Sequence, residues 1–310
     1  MNTRLSFHEK ESVCQKKFND IRNIYHACTP ENHPLILTTD QDFKTAMTLL
    51  GICVHKHKLL RLLTFALMSN HLHLVVIGDE GDLMDMFEDF KKLLHKCILN
   101  DHTCTQLINF NLSLHTVNDL DNLRNVIAYV NRNGSVINEN YSPFSYPWGA
   151  NRFYFNQEAA SRHQTQKRQL RVLECRKISR SRKYDDVGNL FFVDDYISPM
   201  SFCYIELGEQ LFRNARQYFF KISRNIESYE QIARLIGENL FYSDSDLFQI
   251  ACTLSQKEFS CKTPHLLARE EKIKLAKTLH HEYNAGLKQI QRMLKIDPYT
   301  LKAIFGSTSQ

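Results

Sequence analysis

Apolar positions along the first half of the chain recur in two alternating rhythms. Ile24 to Cys28 is a short run of strand character, followed after a proline-containing loop by a second short run at Leu35 to Leu37. From Asp42 to His55 the residues Phe43, Ala46, Met47, Leu50 and Val54 return at intervals of three and four, which predicts an amphipathic helix opened by Thr39 and Asp40. Leu59 to Ile77 reads as two strands broken at Met68-Ser69-Asn70, so a hairpin is predicted. Asp82 to Leu99 returns to the helical period, Phe110 to Val117 alternates as a fourth strand, and Asp119 to Arg132 predicts a helix. Asp119 is placed to cap that last helix and Asn133-Gly134 to end it.

The order β, α, β, β, α, β, α predicts an α+β fold. Its core is a ferredoxin-like antiparallel sheet with an appended helix that carries Tyr129, followed by a mostly helical C-terminal region. Such a fold implies no function by itself. From Phe202 onward the pattern is helical and closes on Arg269 to Asn284, Leu287 to Leu294 and Pro298 to Phe305, a succession suited to a helix-turn-helix or to a plain helical bundle. Residues 1–155 are expected to form one domain, 156–200 a basic linker and 201–310 a second domain.

Composition narrows this little. The 310 residues carry a net charge of +5, which permits a nucleic-acid partner without demanding one. Distribution says more: nine Lys/Arg residues between Arg162 and Lys183 face one acid, Glu174. These include Arg162, Lys167, Arg168 and Arg171, and they suit either a solvated helix face or a phosphate backbone. Lys288 and Arg292 lie on a possible recognition helix of the C-terminal region. Nine cysteines without a paired spacing read as reduced thiols. No signal peptide and no apolar stretch approaching the roughly 20 residues of a membrane span is present, so a soluble, cytoplasmic protein is expected.

Chemistry concentrates in two places. His71 and His73 stand two apart on a predicted strand and so share a face, where two neutral imidazoles could hold one divalent cation or simply meet solvent. The pair alone is weak evidence, because 14 histidines in 310 residues give roughly 0.6 such pairs by chance and His55-Lys56-His57 is a second. Tyr129 and Asn133 stand four apart on the predicted helix and share its face. A tyrosine beside Ile127 and Val130 suits packing; as a nucleophile it needs its proton removed or its phenolate stabilised.

Taken in order, the Asn70-His71-Leu72-His73 strand and the Tyr129-x-x-x-Asn133 helix resemble the HUH superfamily of single-strand tyrosine transposases, the IS200-like and REP-associated enzymes. Tyr146-Pro147-Trp148-Gly149-Ala150 also resembles the aromatic-Pro-Trp segment of the REP-associated group, and the match spans about residues 20 to 155. The resemblance implies Mg²⁺ or Mn²⁺ on His71, His73 and Asn133, and Tyr129 as nucleophile. It further implies single-stranded or hairpin DNA as partner, no membrane association, and a monomer or a homodimer. A non-catalytic DNA-binding protein that keeps the same fold is the alternative. The chain departs from the pattern in lacking an arginine soon after Tyr25-His26 and in having Asn133-Gly134 where relatives have Asn-Pro.

Overall fold

The computed structural model describes residues 6–98, 107–137, 141–142, 144–224 and 226–306, so Leu99 at the end of the second predicted helix and Cys104 lie outside the described residues. The chain divides into two compact units, Met1–Ser228 and Tyr229–Gln310. Among the described residues no helix is long and apolar enough to cross a membrane.

The first unit opens with a helix absent from the sequence reading, α1 (Phe7–Asn19). Its signal is the capping box of Ser6 and Glu9, in which each side chain accepts from the other's backbone N–H. The unit continues through β1 (Ile24–Cys28), α2 (Asp40–Lys56), β2 (Arg61–Leu67), β3 (Leu72–Ile77), α3 (Glu80–Cys97), β4 (Ser113–Thr116) and α4 (Leu120–Ile137). The four strands form an antiparallel sheet in the order β2-β3-β1-β4. The fold is thus α+β, with α2 packed on α3 and α4 laid against β2 and β3.

Two predicted features take a different form. Leu35 to Leu37 pairs with no strand; the N–H groups of Ile36 and Leu37 both donate to the single carbonyl of Ser69, at 2.8 and 2.9 Å. The helix bearing Tyr129 runs through Asn133-Gly134 to Ile137 instead of ending there. Glycine is required at 134 for closeness rather than for a turn, because a Cβ there would stand 2.1 Å from the Tyr146 ring. That ring is held in turn by its hydroxyl, which donates to the carbonyl of Leu67 at 2.7 Å.

The aromatic segment after α4 covers the open edge of β2. Leu67 donates its N–H to the Trp148 carbonyl at 2.8 Å and Ala150 donates to Phe65 at 3.1 Å, which satisfies backbone groups an edge strand would otherwise present. Trp148 also stacks on Phe43 of α2 at 5.1 Å.

Residues 156–200, expected as a linker, are folded into this unit. They form α5 (Gln157–Gln166), β5 (Arg168–Gln169), α6 (Val172–Ser179), β6 (Phe191–Val193) and β7 (Tyr196–Ile197), with β5, β6 and β7 in one small sheet. Leu170, Cys175, Leu190 and Ile197 are almost fully buried, and Gly51 of α2 lies close enough to Ile197 that a Cβ would reach its side chain at 2.9 Å. Burial of that kind ties the segment to α2. Next, α7 (Ile205–Gln210) and α8 (Ala215–Arg224) close the unit on β2 and α4, so the division falls near residue 228 and not at 200.

Side-chain bonds fix α4 from several sides. The Asp119 carboxylate caps it by accepting from Asn122 N–H at 2.8 Å, as predicted. Buried Arg124 donates to the Leu211 carbonyl at 2.7 Å and pairs with Glu11 at 2.6 Å. Asn131 accepts from Thr64 of β2 and donates to the Tyr218 hydroxyl of α8 at 2.7 Å.

Unit two contains most of α9 (Ile226–Ile236), then α10 (Asp244–Phe259), α11 (Arg269–Glu282), α12 (Leu287–Leu294) and α13 (Pro298–Phe305), the last three close to their predicted bounds. Leu247, Leu275, Leu279, Ile290 and Leu294 make its core.

Candidate active site

The hairpin turn sets the first candidate ligand. Asn70 donates its amide N–H to the carbonyls of Glu31 and, at 3.2 Å, His33, which leaves its Oδ1 to face His71 Nδ1 at 2.8 Å. Because Oδ1 only accepts, His71 carries its proton on Nδ1 and keeps a lone pair on Nε2. This is the supporting hydrogen bond that metal-binding histidines use to fix a tautomer.

β3 sets the second. His73 lies directly opposite Cys28 of β1 and Ala66 of β2, with no measurable exposure, while Leu72 and Leu74 alternate to the opposite face. The His71 and His73 rings stand 5.0 Å apart.

α4 delivers the rest. Asn133 places its amide nitrogen 3.2 Å from His73 Nε2, and the Tyr129 ring lies edge-on to His73 at 5.8 Å. The predicted i, i+4 pair thus faces the predicted histidines. As placed, the amide N–H of Asn133 donates to His73 Nε2; a half-turn of the amide presents its oxygen instead. The site is buried: Tyr129 is 2% exposed and His71 5%.

Burial also keeps the imidazoles neutral. Loss of water lowers His71 to about 4. His73 falls well below the ordinary value through burial first, then the neighbouring His71 and His26. His26 is brought down to about 3 by burial and then by His115. Neutral imidazoles hold the lone pairs that a cation needs.

His26, read in the sequence only as half of the Tyr25-His26 pair, and His115 are the residues whose place at the site sequence reasoning missed. His26 Nε2 stands 3.3 Å from His73 Nδ1, the Tyr129 ring lies 6.1 Å from the His26 ring, and His115 of β4 sits directly across from His26. Both histidines were visible as types, but their place beside His73 depends on strand register. The competing pair His55 and His57 goes elsewhere. His57 Nδ1 meets the Asp82 carboxylate at 3.0 Å and His55 the Asp186 carboxylate at 3.5 Å, so carboxylates hold them.

The basic residues are dispersed over other elements. Arg162 of α5 pairs with Asp194 at 2.6 Å and Arg168 of β5 with Glu174 at 2.9 Å; Lys167 rests over the Phe191 ring, and Arg171 is exposed at the start of α6. In the second unit Arg292 pairs with Asp244 at 2.8 Å, whereas Lys288 is exposed.

No family model matches the chain, and no curated protein matches it. Among solved structures, a REP-associated tyrosine transposase bound to a REP hairpin is similar to it at 13% identity over 44% of this chain and 79% of that one. The TM-score of 0.32 is too low to establish a shared fold.

Proposed function

We propose that this chain is a metal-dependent tyrosine nuclease and strand transferase for single-stranded or hairpin DNA. The observation that carries the proposal is the convergence of His71, His73, Asn133 and Tyr129, drawn from a hairpin and a helix some sixty residues apart, with Asn133 bonded to His73 at 3.2 Å. The strand order β2-β3-β1-β4, with α2 after β1 and α3 after β3, supports the ferredoxin-like reading of the sheet.

The residues present fit a divalent cation. His71 Nε2, His73 Nε2 and the Asn133 amide oxygen would hold it, and a set with two imidazoles suits Mn²⁺ better than Mg²⁺. Such an ion supplies charge neutralisation at a scissile phosphate. Tyr129 then has one task. Its oxygen forms a bond to phosphorus, the bond from phosphorus to the 3′ oxygen breaks, and the phenolic proton ends on that departing oxygen. The product is a 5′-phosphotyrosine with a free 3′-hydroxyl; the reverse attack joins strands, so no nucleotide cofactor is consumed.

The deciding experiment is covalent trapping on labelled single-stranded hairpin DNA. An adduct that survives denaturation, needs Mn²⁺ and disappears in Tyr129→Phe is the expected result. Tight binding without an adduct in any metal would overturn the enzyme and leave the alternative of a DNA-binding protein.

A further inference from the structure

Behind the site lies a second set of ligand atoms. One donor atom each from His26, Cys28 and His73 falls within 4.8 Å of the other two, and all three residues are 0 to 3% exposed. Their placement follows from the sheet. Cys28 and His73 are directly paired across β1 and β3, and His26, two residues before Cys28, shares its face. Three ligands from two paired strands are held by the backbone itself, which is the preorganisation a metal site needs.

Spacing and chemistry agree on the class of ion. His26 Nε2 and His73 Nδ1 are 3.3 Å apart. A tetrahedral centre with metal–nitrogen bonds of about 2.0–2.1 Å sets two ligand nitrogens roughly that far apart. One thiolate with two imidazoles is a donor set for Zn²⁺ and its borderline-soft neighbours, whereas the amide oxygen of the His71 set favours a harder ion.

We infer that His26, Cys28 and His73 form a Zn²⁺-class site, which shares His73 with the His71, His73 and Asn133 set but is otherwise distinct from it. Cation entry releases the Cys28 thiol proton to solvent and moves the His73 proton from Nδ1 to Nε2, where it stays on the ring and is donated in a hydrogen bond to the Asn133 amide oxygen once that amide has turned over. A neutral imidazole has one lone pair, so His73 serves one cation at a time. Zn²⁺ here therefore excludes the catalytic ion; that exclusion rests on the function proposed above, and the site does not.

The test uses the full chain, reduced and metal-free, with Co²⁺ as the spectroscopic probe and no DNA. One equivalent of Co²⁺ is expected to give a thiolate-to-cobalt charge-transfer band that Zn²⁺ bleaches. Removing one ligand, in Cys28→Ser or separately in His26→Gln, should weaken Co²⁺ binding by at least about 100-fold, beyond the usual cost of losing an outer-shell partner. Cys175→Ser, on α6, should keep the band. His26→Gln leaves the thiol in place, so a folding defect in the serine variant does not decide the matter. Absence of a thiolate band in the unaltered chain, or its persistence at full affinity in Cys28→Ser, overturns the site and reduces the 3.3 Å approach to an imidazole hydrogen bond. Neither result bears on the Mn²⁺-dependent adduct, so the two proposals fail independently.

Discussion

Asn70 Oδ1 stands 2.8 Å from His71 Nδ1 while the amide nitrogen of the same side chain is engaged by the carbonyls of Glu31 and His33. One side chain thereby fixes both the turn and the tautomer of a candidate ligand. Asn70→Ala is expected to lower Mn²⁺ affinity by about 10–100-fold, the usual cost of losing such a supporting bond. Calorimetric titration of Mn²⁺ checks this, and unchanged affinity would dissociate Asn70 from the site.

Acid should unfold the metal-free protein through its buried imidazoles. The folded-state values of about 4 for His71 and about 3 for His26 lie below the ordinary 6.5, so the unfolded chain binds protons first. Their contribution is complete above pH 6.5 and is lost as pH falls from there through 4 and then 3. Each imidazole removes roughly 1.4 kcal/mol per pH unit within its window. Urea unfolding at a series of pH values, with His26→Gln as comparison, should show a shallower slope in the variant; equal slopes would mean that His26 titrates normally.

Gly134→Ala would drive a methyl group into the Tyr146 ring, whose nearest atoms are 2.1 to 2.5 Å from the Cβ position. A loss of about 1–3 kcal/mol is expected from overpacking. Thermal melting measures it, and adding Tyr146→Leu should restore part of the loss, because residues in contact do not act additively. Full additivity would show that the two do not press on each other.

The exposed cations offer a graded test of DNA contact. Arg168 forms a surface ion pair with Glu174, an interaction of about 0–1 kcal/mol that a phosphate can replace, while its guanidinium also lies over the Phe192 ring. Arg168→Ala and Arg171→Ala are each expected to reduce the salt slope of single-strand binding by about 0.7 with little change in stability. Lys288→Ala should weaken binding more than Arg292→Ala, since Asp244 already neutralises Arg292. Titrations across salt concentrations check both; unchanged slopes would remove these residues from the interface.

How much was legible in the sequence follows from the length of each signal. α2, α3 and α4 have several turns of periodic apolar residues, and the hairpin has two strands around a polar break, so their patterns stand out. α1 was missed because its signal is a cap and not a stripe. The two- and three-residue strands around Leu170 and Ile197 are too short to alternate, and the dense arginines beside them concealed a folded segment. For the site, spacing within an element put His71 beside His73 and Tyr129 beside Asn133. Proximity between elements was not legible: His26, Cys28 and His115 join the cluster through strand register, which no local pattern encodes.

The attachment of α4 has a kinetic consequence. Arg124, Asn131 and Gly134 bind the helix to Leu211, Tyr218 and Tyr146 of its own chain, so Tyr129 and the histidines it faces come from one molecule. A single copy then carries every group the proposed reaction uses. If the proposed function holds, nicking is expected to be first order in protein, with a rate per molecule that dilution leaves unchanged.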